Sequence, residues 1–301
     1  FLDNQVPLLV SAGRALQEGC MRRLCILTPD PSYSENWAPM ADHFRILFGP
    51  TLGFRPWTAT GDLTRFDLIL PLLAWGYQRD PALWYQTLDR WDSEHLPVAN
   101  PCALLRWNTD KAYLFDLAAK GVTIVPTISS DALCAADIAK ARQQFASSKR
   151  ISKPAISAGA DGTYALGEED AIPFDVLERV MLIQPMMPAI ATEGEFSLFY
   201  FDGQFSHAIL KTPAAGDFRV QEQFGGREVA VTPPDAALKL AAATLAAAPD
   251  RPLYARVDMV RASADTFNLM ELEVIEPSLF FAFAQDGGQA FAQSVRRILN
   301  A

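Results

Sequence analysis

Histidine and cysteine are scarce in this chain, and the few present stand far apart: His43, His95 and His207, and Cys20, Cys25, Cys102 and Cys134, with no Cys-x-x-Cys. That spacing indicates neither a zinc site of imidazole and thiolate nor a disulfide framework. Positive charge is also in deficit, with 26 Lys and Arg against 35 Asp and Glu and a net charge of −9. That balance argues against a broad electrostatic footprint for nucleic acid or an anionic membrane, while local basic residues can still bind phosphate. No apolar run approaches the ~18 residues of a membrane-crossing helix, and the N-terminus has no basic segment followed by a signal-like apolar stretch. The expectation is a cytoplasmic protein with reduced thiols and neither nucleic-acid nor membrane partners. With 50% hydrophobic and 20% charged residues, disorder and a coiled coil are excluded too. At 301 residues, about twice the ~150 of one domain, two or three modules are expected.

Met21, ahead of Arg22-Arg23 and the strand-like LCILTPD, is the expected native start. Residues 1–20 are then an N-terminal extension, or an extra helix on the domain edge. Ser32 and Glu35 have capping-box spacing, and Trp37, Met40, Phe44 and Leu47 follow at helical intervals. FDLILPLL (66–73) fits a strand buried on both faces. Asp80-Pro81 opens a helix with Leu83, Trp84, Thr87, Leu88 and Trp91 on one face. This strand–helix alternation predicts a parallel sheet, whose ligands gather beyond the carboxyl ends of its strands. Trp75 and Tyr77, in the loop after FDLILPLL, are therefore candidates for a substrate pocket, although aromatics there serve a core or rim equally well.

Asn108-Thr109-Asp110 predicts the cap of a helix running from Lys111 to Gly121. A strand VTIVPT, a helix DALCAADIAKARQQFA, a strand ISKPAI and a loop SAGADGTY follow. From Met181 antiparallel hairpins are expected: EFSLFYF and QFSHAIL flank Asp202-Gly203, and an alanine-rich helix separates them from YARVDMVR and FNLMELEVIE. The fold class is α/β (α+β).

Alternation along the last hairpin puts Arg256 and Asp258 on one face, and places Glu271 and Glu273 opposite Met270, Leu272 and Val274. A turn at Ala264-Asp265 would set Asp258 across from Glu271. Like charges opposed in this way need a cation. Oxygen ligands without sulfur or imidazole favour Mg²⁺ together with phosphate, whereas the same pattern also describes a solvated face neutralised by Arg256 and Arg261. Lys153, followed by the small-residue loop through Ser157 and Gly159, suits backbone contact with phosphate, or an ordinary surface turn. Lys211 and Arg219 flank a turn-like AAGD, where they would meet a transferring phosphoryl group or form surface ion pairs.

In this order the segments resemble the ATP-grasp superfamily over roughly residues 98–280, most closely its glutathione synthetase and ribosomal-protein glutamate ligase branch. NTDKAYLFDLAAKGVTIVPT, KPAISAGADGT, LIQPMMPAI, EGEFS, the arginine after GDF and MELEVIEP carry the resemblance. LLRWNTDKAYL, KPAISAGADGTY and ELEVIEPSLFF are similar to the cyclo-ligases of cycloserine biosynthesis. The resemblance implies an N-terminal parallel-sheet substrate module (21–107), a central subdomain with a lid loop (108–183) and a C-terminal subdomain with the metal site (184–301), the last two enclosing ATP. Lys111 and Lys153 would contact phosphates, with Ser157 and Gly159 in the loop. Gln184, Pro185, Met186 and Met187 would form the adenine hinge, and Glu195 would bind ribose. Asp258, Glu271 and Glu273 would hold two Mg²⁺ ions, or Mn²⁺ in their place. Arg219 would stabilise the acylphosphate and tetrahedral intermediate, and Lys211 matches a basic position of the glutamate ligases.

Two departures stand out: Ser197 where the family often has arginine, and Glu273 where asparagine is usual. The implied reaction is ATP-dependent activation of a carboxylate, followed by attack of an amine, on a small amino-acid-like or peptide substrate. Trp75, Tyr77, Arg106 and Ser278 are the substrate candidates. Relatives imply a homodimer or homotetramer. The competing readings are an ATP-grasp phosphotransferase and a non-catalytic nucleotide-binding regulator. A binding module would need only the lysines and hinge, so Arg219 and the hairpin carboxylates argue for a ligase.

Overall fold

A run of five apolar or β-favouring residues, LCILT, forms β1 (Leu24–Thr28), buried along its whole length. It pairs in parallel with β2 (Leu52–Pro56) and β3 (Leu68–Leu70), in the order β2-β1-β3. The computed structural model describes residues 22–301 except 35–36, 60, 62, 146, 148, 168–169 and 178. The extension 1–20, the proposed start Met21 and the capping residue Glu35 lie outside the described residues. The predicted strand over 66–73 shrinks to three residues because Pro71 interrupts it, and Leu73 instead donates to the Leu27 carbonyl at 3.0 Å. α1 (Ala38–Phe48) and α2 (Pro81–Ser93) cover the sheet. In α2 the Asp80 cap accepts from the Leu83 N–H at 3.0 Å, and Trp84, Thr87, Leu88 and Trp91 face the core.

The predicted cap at Asn108-Thr109 is not one. These residues end a separate helix, α3 (Cys102–Thr109), before α4 (Tyr113–Ala119). Their polar groups are used elsewhere: Asn108 bonds Leu272 O and Val274 N at 2.8 and 3.2 Å, and the Thr109 hydroxyl donates to Leu105 O at 2.8 Å. Asp110 fills the local role by accepting from the Ala112 N–H at 2.8 Å. Lys111 therefore sits in the turn between two helices.

The second sheet is antiparallel, in the order β4-β7-β5-β6, built from β4 (Ile128–Ser130), β5 (Arg150–Pro154), β6 (Tyr164–Leu166) and β7 (Met181–Pro185), with α5 (Ala135–Gln144) against it. Antiparallel pairing thus starts before Met181. VTIVPT is not a strand of this sheet; it runs beside the last strand of the third sheet, with Val125 N donating to Leu269 O and Leu269 N to Thr123 O, both at 2.9 Å.

After α6 (Pro188–Thr192) comes the third sheet, order β10-β9-β8-β11-β12. It comprises β8 (Glu195–Phe201), β9 (Gln204–Thr212), β10 (Arg227–Ala230), β11 (Tyr254–Ser263) and β12 (Thr266–Glu273), with α7 (Asp235–Ala247) and α8 (Gln289–Leu299) completing the chain. Asp202 and Gly203 form the predicted two-residue turn, with φ of 48° and 71°, the left-handed values such hairpins require.

Asn100 stitches the first module to the third sheet. Fully buried, its amide donates to Tyr254 O and Val274 O at 3.0 and 2.7 Å and accepts from Leu253 N at 2.6 Å. Asn100→Ala strands two carbonyls and an N–H in the interior. It should cost about 2–4 kcal/mol in a urea unfolding measurement; a loss below about 1 kcal/mol would show that water replaces the side chain.

Candidate nucleotide and metal site

The three sheets enclose a cavity of about 640 Å³. Every sequence-predicted site residue except Arg106 lines it. Arg106 is turned away: it pairs with Asp89 at 2.7 Å and lies 5.7 Å from the Tyr85 ring. Its place on α3 directs it outward, a distinction that sequence spacing did not reveal. Tyr77 packs its ring on Trp84 with centroids 5.1 Å apart and also borders the cavity.

The floor is the β11–β12 hairpin. Its turn falls at Ala264-Asp265, and Asp258 stands opposite Glu271 as expected. Two register shifts, near Asp258 and near Arg261, cancel between turn and site. The first displaces Met270 from the face that alternation would have it share with Leu272 and Val274. Leu269, Leu272 and Val274 stay in the sheet's main core, and Met270 joins Met187, Val125 and Ile190 beside the hinge. Arg256, 8% exposed, donates to Asp258 from Nε at 3.0 Å and from Nη2 at 2.8 Å, and Nη2 also bonds Glu273. The Ser197 hydroxyl adds a 2.5 Å bond to Asp258.

Burial opposes ionisation of Asp258, yet Arg256 and Lys211 outweigh it and hold the carboxyl below its ordinary value. Lys111 and Lys153 do the same for Glu271. For Glu273, burial together with Asp258 and Glu271 prevails over Arg256 and pushes the carboxyl up to about 7. Asp258, Glu271 and Glu273 are hard oxygen donors of the type that suits Mg²⁺, but among the described residues they do not converge as a metal-holding group, because Arg256 engages Asp258 and Glu273 while Lys111 engages Glu271.

Lys111 reaches across the floor: Nζ is 3.2 Å from Glu271 Oε1 and donates to Ser157 O and Oγ at 2.5 and 3.1 Å. It thereby ties the start of the SAGADGT loop to the hairpin. Lys153 is 9% exposed, and burial lowers its pKa against the pull of Glu271. Lys211 pairs with Glu195 at 3.1 Å and with Asp258 at 3.7 Å, linking the ribose and metal candidates. At the hinge, the Gln184 amide donates to Thr127 Oγ1 at 2.9 Å. Lys149 O takes the Met186 N–H at 3.0 Å and Ile190 N takes the Met187 carbonyl at 3.1 Å, so among the described residues the Met187 N–H is the hinge donor left for a ligand. Overhead, Arg219 is held by Asp217 at 2.8 Å and stacks 3.7 Å above the Phe224 ring. From the same segment Gln223 donates to Gly159 O at 3.2 Å, which joins the two loops that roof the cavity.

Sequence reasoning missed two residues here. Arg256 figured only as a neutraliser of a solvated face, but its Arg-x-Asp spacing on a strand already put guanidinium and carboxylate side by side. Glu276 was passed over beside Ser278, although both line the cavity. Its burial follows from a chain crossing that no local pattern encodes.

No family model matches the sequence. The cycloserine biosynthesis protein DcsG of Streptomyces lavendulae is 30% identical over 264 residues, covering 78% of this chain and 84% of that protein. A crystal structure described as D-cycloserine synthetase DcsG superimposes with a TM-score of 0.77 at 29% identity, over 92% of this chain and 99% of the other. The fold is shared further with the D-alanine–D-alanine ligase of Bacillus anthracis (TM-score 0.69, 17% identity, 93% and 96% covered) and the ATP-grasp ligase PsnB (TM-score 0.60, 12% identity, 91% and 98% covered). With a relative at that identity across most of both chains, and with lysines, hinge and acidic hairpin around one cavity, this chain belongs to the ATP-grasp superfamily of ATP-dependent ligases, in the family of DcsG.

Proposed function

We propose that the cavity activates the carboxylate of a small amino-acid-like molecule with ATP and joins it to an amine, within the same molecule or on a second one. The observation that carries this reading is the hairpin. Asp258, Glu271 and Glu273 face the cavity alongside Arg256, beneath Lys111 and Lys153. A substrate carboxylate oxygen attacks the γ-phosphorus and ADP leaves; the amine then attacks the acyl carbon and phosphate leaves. Positioning and charge compensation account for such chemistry.

Asp258, Glu271 and Glu273 would hold two Mg²⁺ ions, with Mn²⁺ an acceptable substitute, and the bound metal neutralises charge on the phosphates. The Met187 N–H would read adenine, Glu195 the ribose, and Lys111 and Lys153 the phosphates. Arg256 supplies at the floor the cation that Ser197 does not, and Arg219 serves from the roof once it leaves Asp217. The SAGADGT loop keeps water out. We place this activity in the cytoplasm; among the described residues no helix is long and apolar enough to cross a membrane.

The test is ADP and phosphate release with Mg²⁺ and a panel of amino acids. A ligase releases both, whereas phosphate retained on the acceptor would mark a phosphotransferase. Arg219→Ala should bind Mg·ATP within about threefold of wild type by calorimetry, while turnover falls by about 10²-fold. Full turnover in that variant would remove Arg219 from the reaction.

A further inference from the structure

We propose that Glu276 holds the ammonium group of the substrate, so that this residue selects α-amino acids from other carboxylic acids. The assignment rests on the ligase reading above and names the group that the enzyme recognises at the far end of the molecule it activates.

The geometry comes from an abrupt crossing. β12 ends at Glu273; Val274 is buried in the core of the five-stranded sheet, but Ile275, the next residue, belongs to the core of the N-terminal sheet with Tyr77, Trp84 and Leu105. The Tyr254 hydroxyl fixes the crossing by donating to Ile275 O at 3.0 Å. Glu276 therefore emerges at the seam between the metal hairpin and the Trp75–Arg79 loop, and lines the cavity with Tyr77 and Gln78. Burial, and after it the charges of Glu276, Glu273 and Glu271, hold the Tyr77 hydroxyl well above its ordinary value.

Glu276 differs from the other carboxylates around the cavity. Asp258, Glu271, Glu273 and Glu195 each have a lysine or arginine within 4 Å. Among the described residues Glu276 makes no hydrogen bond and no such ion pair, and burial holds its carboxyl well above the usual range. Of these carboxylates Glu276 is thus the one left without a cationic partner among the described residues. A partly buried carboxylate gains from a cationic partner, and an ammonium supplies one positive charge and three N–H donors. Arg256 reaches the same stretch of chain, with Nη1 3.5 Å from Ser278 O. One wall therefore presents a guanidinium and a carboxylate, the complement of a zwitterion.

The experiment compares amino acids with their 2-hydroxy counterparts. ADP release is followed with both enantiomers of alanine, serine and the other common amino acids, and with lactate, glycerate and the hydroxy acid matching the best substrate. The expected result is a kcat/KM at least ~100-fold higher for the amino acid in wild type. In Glu276→Gln that preference collapses to within about fivefold, KM rises, and Mg·ATP affinity measured by calorimetry stays within about threefold. Hydroxy acids turned over as well as amino acids by wild type would overturn the assignment without needing any variant. So would undiminished preference in a Glu276→Gln protein that binds Mg·ATP normally. Absence of ADP release with every carboxylate would defeat the ligase reading itself, and this assignment with it.

Discussion

Arg256→Met is expected to lose about 3–5 kcal/mol of stability and at least ~10³-fold in turnover, the former because breaking a buried ion pair leaves its partners uncompensated. The guanidinium contacts both Asp258 and Glu273, and its own side chain is 9% exposed. Removing it leaves both carboxylates without their shared guanidinium; among the described residues Lys211, 3.7 Å from Asp258, is the remaining cation paired with either. The loss should be smaller in excess Mg²⁺ than in chelator, because a cation then replaces the missing charge. The triple variant Arg256→Met, Asp258→Asn, Glu273→Gln should recover most of the stability in urea unfolding and none of the activity. A single variant as stable as wild type would show that the carboxylates relax or take up protons at little cost.

Lys153→Met should separate binding from stability in the opposite sense. Lys153 is almost fully buried at the end of β5, and burial lowers its pKa despite nearby Glu271, with Lys111 adding to the effect. The fold therefore penalises the charged form below the lowered value, and the penalty fades as pH rises toward the ordinary lysine range. Methionine of similar length removes it. Near neutral pH the ligand-free variant should melt no lower than wild type, by roughly 2 °C higher for each kcal/mol relieved. The difference should shrink as pH approaches ~10.5, where wild-type lysine loses its proton in both states. Mg·ATP affinity should fall by at least ~100-fold, the loss of a charge-assisted phosphate contact in a dry site. A variant that melts several degrees lower while binding ATP normally would assign Lys153 to structure alone.

The parts of the fold legible in the sequence were those carried by local chemistry. Asp202-Gly203 announces its turn because few residue pairs accept two left-handed conformations. Asp80-Pro81 announces its helix because one residue caps and the other lacks an N–H. The facing of Asp258 and Glu271 follows from the turn alone, and survives only because two register shifts offset each other. Met270 shows the limit of that logic: alternation puts it on one face with Leu272 and Val274, and the irregularity beside Asp258 turns it to the hinge. Asn108 and Thr109 mislead for a related reason, since cap-forming side chains are equally suited to bonding a distant strand. Arg106 and Glu276 were beyond local reading, because what turns one away from the cavity and the other toward it is the packing of separate cores.

Ile275 and Asn100 have a mechanical consequence. They root the floor of the cavity in two cores at once, through buried contacts. Across the top, Gln223 and Gly159 are joined by one exposed hydrogen bond, worth about 1 kcal/mol. The molecule is thus a vessel with a fixed base and a light cover. Cover and base still communicate at one point: Lys111, bonded to Ser157 at the start of one loop and paired with Glu271 below, couples any opening of that loop to the charges of the floor.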